Sequence, residues 1–326
     1  MNSINFANLP QYVNQLNFDV VREAVLKSSL FTRVPVISGV KVPTYINGIE
    51  STPKLVAVGC DTDFVGLTNS YTPIKNILTP WHVQLPETIC KDEIDDTFYA
   101  MKAKSGAGNR DITQEFVDVY LQDKAEKFPL LLSTDAILAS TNGTFSSVAS
   151  TLGGGLLYQL KYGTSAASTI NYATASTYSP TTAVDIVDAI VQKMVTSAPS
   201  MTMKNDNELW MSVADYITYF QGLRNKDWFA WNIFDQAGNM IMEMPYPGGA
   251  KVKIVAMPEL NSVTNGKHYF ILSYASNYRL AEDGINDPSS YEFWFDQNKR
   301  AHRYRAEARI ALNVAYNKYV ILGESN

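Results

Sequence analysis

Histidine is the side chain that most often acts as a general acid or base near neutral pH, and it occurs three times in this 326-residue chain. His82, His268 and His302 lie in segments that we interpret as strands or loops. None of them has a serine, cysteine or acid placed in a recognisable catalytic context, and the GxSxG and HExxH motifs are absent. We therefore expect all three histidines to be structural, and the sequence predicts no catalytic residue.

A glycine-rich segment, TLGGGLLYQLKYGTS, has some features of a phosphate-binding loop. Such a loop needs a glycine before its lysine and a serine or threonine after it, so that backbone amides and the lysine can meet the phosphates. Lys161 has neither neighbour. We interpret the region from Ser140 to Ser179 as a long loop or a pair of weak strands, and we predict no nucleotide or other cofactor there.

Acidic runs and cysteines are the remaining candidates for metal binding. The runs at 61–63 and 92–96 lack the twelve-residue pattern of an EF-hand, and Cys60 and Cys90 lack CxxC spacing and a nearby histidine. We predict no metal site. The acidic runs are interpreted as solvated faces or as salt-bridge partners of another subunit.

A regular alternation of apolar and charged residues follows Ala301. Such a period of two over this length predicts a half-buried β-strand. Its charged face could be solvated or could meet a neighbouring subunit. The apolar face would carry Tyr304, Ala306, Ala308, Ile310, Leu312 and Val314, and the charged face Arg303, Arg305, Glu307 and Arg309.

The elements that must position these residues predict an α+β fold. Residues 34–85 are rich in Val, Thr, Gly, Pro and Asn, which favours extended structure, and we interpret them as a long hairpin. A long helix follows, with Asp111 as N-cap and Pro129 ending or kinking it. The later chain predicts a helix opened by Pro180–Thr182, a strand at Leu209–Val213, a helix capped by Ser212 and Asp215, and strands at Lys251–Met257 and Tyr269–Tyr274.

Composition narrows the class of partner. The chain carries 27 basic and 32 acidic residues, a formal net charge of -5, which argues against gripping nucleic acid through its phosphates. Only 18% of residues are charged and 12% are aromatic, which suits either a surface buried against partners or an ordinary fold with a tyrosine-rich surface. A signal peptide and a run of 18 apolar residues are both absent, so we expect no membrane partner.

This order of parts resembles the major capsid protein of tailed bacteriophages, the Hong Kong 97-type capsid fold. The resemblance spans essentially the whole chain and rests on the order of elements, including GNRDITQEFVDVYLQDKAEKF as the spine helix and TAVDIVDAIVQKM, KVKIVAMPEL and YFILSYASNYRLAEDG as later elements. It implies an N-terminal arm at 1–37, an extended β-hairpin loop at 38–90, a peripheral domain with the spine helix at 91–179 and 288–326, and an axial domain at 180–287.

The resemblance also implies a function and partners. The chain would be a structural protein, not an enzyme, that self-assembles as hexamers and pentamers into the icosahedral head shell around a double-stranded DNA genome. Partners would be a separate scaffolding protein, a portal protein and DNA enclosed without sequence-specific binding, with decoration proteins left open. The chain would be assembled in the host bacterial cytoplasm and located in the virion. Arg303, Arg305, Glu307 and Arg309 would then face a neighbouring subunit. An encapsulin-like nanocompartment shell protein and an enzyme with an unrecognised site stay open as alternatives.

Overall fold

The computed structural model describes most of the chain outside its N-terminal segment and several internal stretches. The described residues are 28–51, 71–90, 114–140, 154–163, 171–174, 177–226, 241–263, 265–284, 291–299 and 301–325. The predicted arm up to residue 27, the Asp111 cap and both acidic runs lie outside them. The chain divides into two compact units. The first comprises Met1–Ser28, His82–Leu132 and Gly284–Ala308, and the second comprises Ser29–Trp81, Ser133–Asp283 and Arg309–Asn326.

Three strands, most of the long helix and an aromatic cluster make up the described part of the first unit. Strand β11 (Tyr291–Asp296) pairs with the first half of β12 (Ala301–Val314), and β4 (Trp81–Cys90) also pairs with β12. Tyr120 of the long helix packs edge-on against Tyr304, with ring centroids 5.7 Å apart. The predicted alternating strand is therefore confirmed, since β12 alternates buried and half-buried residues along most of its length.

The long helix is one continuous element. Helix α2 (Gln114–Leu138) contains Pro129 in its interior. Proline removes a backbone hydrogen bond and costs about 3 kcal/mol at such a position, which is why the sequence predicted an end or a kink there. Phe128 and Leu132 beside it are each 2% exposed, and their burial offsets that cost. The helix does not end at Pro129, because it continues through this residue to Leu138.

The second unit is built around a six-stranded mixed sheet. Its strand order is β5-β13-β9-β6-β8-β7. These strands are β5 (Asn171–Thr174), β6 (Asn207–Ser212), β7 (Glu243–Pro245), β8 (Val252–Met257), β9 (His268–Tyr274) and β13 (Ile321–Ser325). Every residue of β6 is buried, as expected of a central strand with both faces covered. The strands predicted at Leu209–Val213, Lys251–Met257 and Tyr269–Tyr274 are confirmed as β6, β8 and β9.

Two helices supply much of the core of that unit. Helix α4 (Ala183–Ser197) buries an apolar stripe at helical spacing, namely Ala183, Ile186, Val187, Ile190, Val191 and Met194, each at most 5% exposed. Helix α5 (Val213–Asn225) begins at Ser212, whose side chain accepts a hydrogen bond from the Asp215 amide at 3.0 Å. Both helices and the predicted cap are confirmed.

A two-stranded antiparallel hairpin is part of the second unit. Strands β2 (Thr44–Ser51) and β3 (Tyr71–Leu78) pair with Thr44 opposite Leu78, and residues 52–70 between them lie outside the described residues. The Asn76 amide donates to the Val314 carbonyl at 2.8 Å and to the Ala315 carbonyl at 3.2 Å. The hydroxyl of Tyr316 accepts from the Ile49 amide at 3.2 Å. These bonds fix one face of the hairpin against its own unit.

Short elements complete the second unit. Helix α1 (Leu30–Arg33) and strand β1 (Val36–Ser38) precede the hairpin, and β1 pairs in parallel with β10 (Tyr278–Asp283). Strand β10 in turn pairs with the second half of β12. Arg33 joins two strands of the large sheet, because its guanidinium lies 3.2 Å from Glu208 and 3.0 Å from Glu243.

The region from Ser140 to Ser179 contains a helix that the sequence interpretation missed. Helix α3 (Leu156–Tyr162) buries Leu156, Leu157 and Leu160, each at most 1% exposed, so the expectation of only a loop or weak strands was wrong at these residues. The leucines repeat at helical spacing, but glycine, serine and threonine around them hid the pattern. Strand β5 lies in the same region and agrees with the expectation of weak strands there.

Candidate functional site

The predicted charged face lies on β12, opposite the side that enters the core. All six residues predicted for the apolar face are at most 3% exposed. Arg303, Arg305, Glu307 and Arg309 alternate with them and are half-buried. The alternation of apolar and charged residues therefore predicted correctly which side chains of β12 are buried and which are not.

Within the first unit, the arginines of this face meet carboxylates of their own chain. The Nε of Arg303 lies 2.8 Å from Oδ2 of Asp296, and Nη2 of Arg305 lies 2.8 Å from Oε2 of Glu292. Arg305 Nε also lies 3.1 Å from Oε1 of Glu307. Neither Nε–H has a hydrogen-bond partner among the described residues, so the Nε contacts are charge contacts.

The other members of the face also have partners. In the first unit, the imidazole Nε2 of His82 lies 3.4 Å from Oε2 of Glu307. In the second unit, the guanidinium of Arg309 donates to the Lys41 carbonyl at 2.8 Å. The acidic run at 92–96, which was expected to meet this row from a neighbouring subunit, lies outside the described residues. The role of the four residues in an intersubunit contact stays a prediction.

A second surface, which the sequence did not reveal, lies on the hairpin. Tyr45 and Ile77 stand directly opposite each other in the β2–β3 register, and Ile49 lies on the same face of β2. Their exposures are 58%, 42% and 71%. On the other face, Ile46 is only 7% exposed. We call Tyr45, Ile49 and Ile77 the hairpin apolar face.

An exposed row of large apolar side chains is costly to leave in water. Burying one such side chain stabilises a structure by about 1.5–3 kcal/mol, so exposed large apolar side chains on one face of a sheet mark a candidate interaction site. This surface was hard to predict from the sequence, because Ile46 and Ile49 lie three positions apart, an odd offset that places them on opposite faces of a strand. Only the pairing register shows which of them is buried.

The histidines do not assemble a catalytic site within the described part of the chain. His268 Nδ1 lies 2.6 Å from Oδ1 of the buried Asp215, which ties β9 to helix α5. His302 is 5% exposed and lies between Phe293 and Phe295, and this burial lowers the pKa of its imidazole. No imidazole has a hydrogen bond to a serine or cysteine side chain among the described residues.

The lysine of the glycine-rich segment is paired with a carboxylate of its own chain. Lys161, from the glycine-rich segment, lies 2.6 Å from Glu324, and Lys267 contacts the same carboxylate. Burial raises the pKa of Glu324, but the hydrogen bonds from both lysines outweigh burial and lower it. Over the described residues, no group of three or more His, Cys, Asp or Glu side chains could hold a metal ion. In the same part of the chain, no helix combines the length and apolarity that crossing a membrane requires.

The sequence and the fold were compared with known proteins. No protein-family model matches the sequence. No curated protein sequence matches it either. Solved structures do match over nearly the whole chain, and they include capsids of phages and of a GTA particle.

Three of these structures illustrate the likeness. The satellite phage P4 procapsid including size determination (Sid) protein matches with a TM-score of 0.57 and 9% identity, over 98% of this chain and 96% of that chain. The capsid of Myoviridae phage XM1 matches with a TM-score of 0.56 and 12% identity, over 100% of both chains. The capsid of an empty GTA particle matches with a TM-score of 0.55 and 12% identity, over 99% of both chains.

Sequence identities this low leave the fold as the shared property. Since the structural matches cover 95–100% of this chain, the fold expected from the order of its parts is confirmed. The chain has the mixed α+β architecture of phage capsid proteins, the Hong Kong 97-type capsid fold.

Proposed function

We propose that this chain is a major capsid protein that self-assembles into the icosahedral head shell around the double-stranded DNA genome of a tailed bacteriophage. The observation that carries the proposal is the match of the complete chain, without large unmatched insertions, to capsid structures such as that of phage XM1. A fold can host several functions, so the surface chemistry must agree with the proposal.

The hairpin apolar face agrees with a shell-forming role. Tyr45, Ile49 and Ile77 would be buried against another copy of the chain, which gives each subunit a reason to associate. The opposite face of the hairpin is already held by Asn76 and Tyr316, so the exposed face is presented by a fixed support. A preorganised surface loses less entropy when a partner binds.

We assign the charged face of β12 a secondary role at a subunit contact. Arg303, Arg305, Glu307 and Arg309 are half-buried and already paired in part, so they add little affinity. Charges of this kind at the edge of an interface set register and choice of partner. Acidic residues of the run at 92–96 on a neighbouring subunit would be suitable partners.

The segments of the chain would form the parts that the Hong Kong 97-type capsid fold implies. Residues 1–37 would form an N-terminal arm, 38–90 an extended loop, 91–179 and 288–326 a peripheral domain, and 180–287 an axial domain. The subunits would form hexamers and pentamers. A separate scaffolding protein, a portal protein and, in some shells, decoration proteins would act with them.

The packaged DNA would be enclosed and not gripped. The net charge of -5 disfavours tight phosphate contacts and would let DNA move within the shell. The chain would have no enzymatic activity, would be assembled in the cytoplasm of the host bacterium and would reside in the virion.

The test is to express the chain alone and together with its neighbouring phage genes, and to examine both by size-exclusion chromatography and negative-stain electron microscopy. We expect closed shells, or rings of five and six subunits, in at least one condition. Nucleic acid inside the shells would support a phage head, whereas protein cargo would favour an encapsulin-like compartment. A monomer in both conditions would contradict the shell function and favour an enzyme with an unrecognised site.

A further inference from the structure

The β2–β3 hairpin is tied to residues 313–317, a segment of the same unit that begins at the end of strand β12. The Asn313 side chain donates a hydrogen bond to the Ile77 carbonyl at 2.8 Å. In the opposite direction, the Asn76 side chain donates to Oδ1 of Asn317 at 3.1 Å, in addition to its bonds with the backbone. Each of the two segments therefore holds the other.

Gly48 lies in direct contact with the ring of Tyr316, on the face of the hairpin opposite its apolar face. A β-carbon at position 48 would lie 3.0 Å from Cζ, 3.1 Å from the hydroxyl oxygen and 3.2 Å from Cε1 of Tyr316. Carbon atoms in contact normally lie about 3.5–4.0 Å apart, so the ring fills the space that a side chain would need. Glycine within a strand often marks such a close approach. The ring can keep its place because residue 48 is a glycine.

The Tyr316 hydroxyl bonds the backbone of the next residue of the strand. It accepts from the Ile49 amide at 3.2 Å and donates to the Ile49 carbonyl at 3.3 Å. Ile49 stands opposite Pro73 in the hairpin, and proline has no backbone N–H to donate. The hydroxyl therefore serves both backbone groups of a residue whose side chain belongs to the hairpin apolar face.

Tyr316 is itself held in place from the core of the unit. Asn277 is fully buried, and its side chain accepts from the Tyr316 amide at 2.8 Å and donates to the Tyr316 carbonyl at 3.0 Å. The same side chain also donates to Oγ of the buried Ser273 at 3.0 Å. Buried hydrogen-bond networks of this kind make a structure rigid. The core thus sets the position of Tyr316, and Tyr316 sets the position of β2.

We propose that Gly48 and Tyr316 are positioning residues, which set the direction of the hairpin and hold its apolar face in place to meet a second copy of the chain. This inference rests on the proposed function, because it assigns the two residues a part in the same association. Tyr316 bonds the backbone of Ile49, so a shift of its ring would move the apolar face directly. A surface that is already held in one orientation loses less entropy when it binds.

The test compares the wild type with four variants of the full-length chain. They are Gly48→Val, Tyr316→Ala, the double variant that combines these two, and the control Thr44→Val. Valine favours strands, so Gly48→Val should preserve the strand and displace only the ring. Thr44 is exposed, and Thr44→Val places the same side chain on the same face of β2, four residues earlier.

The first measurement is hydrogen–deuterium exchange of the Ile49 amide, followed in the peptide that covers residues 44–51 of isolated subunits. We expect exchange to be about tenfold faster in Gly48→Val and Tyr316→Ala than in the wild type and the control. Because both residues act through one contact, the double variant should exchange no faster than Tyr316→Ala. Equal exchange in Gly48→Val and the wild type, or additive effects in the double variant, would overturn the proposal.

The second measurement is assembly, followed by sedimentation after expression together with the genes that neighbour its own. We expect shells from the wild type and Thr44→Val, and a loss of most shells from Gly48→Val and Tyr316→Ala, while circular dichroism shows all of them folded. Shells from Gly48→Val at the wild-type level would overturn the positioning role and leave the proposed function standing. An absence of shells from the wild type would instead contradict the proposed function, and the positioning role would fall with it.

Discussion

Helix α4 and the β2–β3 hairpin both carry large apolar residues on one face, but only the helix buries them within its own unit. The six apolar residues of the α4 stripe are at most 5% exposed, whereas Ile49 of the hairpin is 71% exposed. The helix lies against the six-stranded sheet, and the hairpin apolar face has no comparable cover among the described residues. The same kind of residue therefore serves the stability of one subunit in the helix and, in our account, association between subunits in the hairpin.

This contrast separates folding from assembly in the energetics of the chain. Truncating residues of the α4 stripe should lower the free energy of unfolding of a subunit. Substitutions in the hairpin apolar face should impair assembly and leave the stability of the subunit almost unaltered. Substitutions of one chemical type in the two regions can therefore test the contrast directly.

The largest effect on folding is expected from Ile190→Ala, with Ile49→Ala as its matched counterpart. Ile190 is 1% exposed, and its truncation leaves a cavity, so the free energy of unfolding should fall by about 2–5 kcal/mol. Ile49→Ala removes the same atoms from an exposed site and should change it by less than about 0.5 kcal/mol. Denaturant unfolding of the unassembled subunit measures both values. Equal losses of unfolding free energy in the two variants would contradict the proposed difference between the helix and the hairpin.

A smaller effect is expected from Glu324→Gln, and it should depend on pH. Folding lowers the pKa of Glu324 from its ordinary value of 4.5, because Lys161 and Lys267 bind the charged carboxylate. These ion pairs therefore stabilise the folded chain at pH values above 4.5. That stabilisation is lost as the pH falls through the lower pKa of the folded state.

Glu324→Gln should cost about 1 kcal/mol at pH 7 and nothing at pH values below the folded pKa. Urea unfolding from pH 7 to pH 3 measures the difference between the two proteins. A difference that stays constant with pH would show that the ion pairs do not carry the effect.

A small effect on folding is expected from the double variant Arg305→Glu and Arg309→Glu. Both side chains are half-buried, and surface ion pairs contribute about 0–1 kcal/mol each. The subunit should stay folded, as measured by circular dichroism and thermal unfolding, but shell assembly should be blocked. Lys193→Glu on helix α4 changes charge in the same direction and serves as control. Assembly of the double variant at the control level would remove β12 from the set of intersubunit surfaces.

The elements predicted from the sequence are those whose signal is local. The stripe of α4, the Ser212 cap and the alternation of β12 each follow from spacing within a few residues. Helix α3 was missed because its three leucines stand among glycines and hydroxyl residues, which favour loops.

The candidate surfaces were less predictable, because they depend on pairing between distant segments. The charged face of β12 was found, but its partners Glu292 and Asp296 depend on the register of β11 against β12. The hairpin apolar face depends on the β2–β3 register, and a shift of one residue would exchange its two faces.

The most direct test of the account is sedimentation and negative-stain electron microscopy of wild type, Ile49→Asp and Thr44→Asp, expressed under identical conditions with the genes that neighbour their own. Thr44→Asp places the same charge on β2 but not on the hairpin apolar face, since residues 44 and 49 point to opposite sides of the strand. We predict shells for the wild type and Thr44→Asp, and folded but unassembled subunits for Ile49→Asp. Shells formed equally by all three would contradict the assignment of the hairpin apolar face to assembly, and no shells from any of them would contradict the capsid function itself.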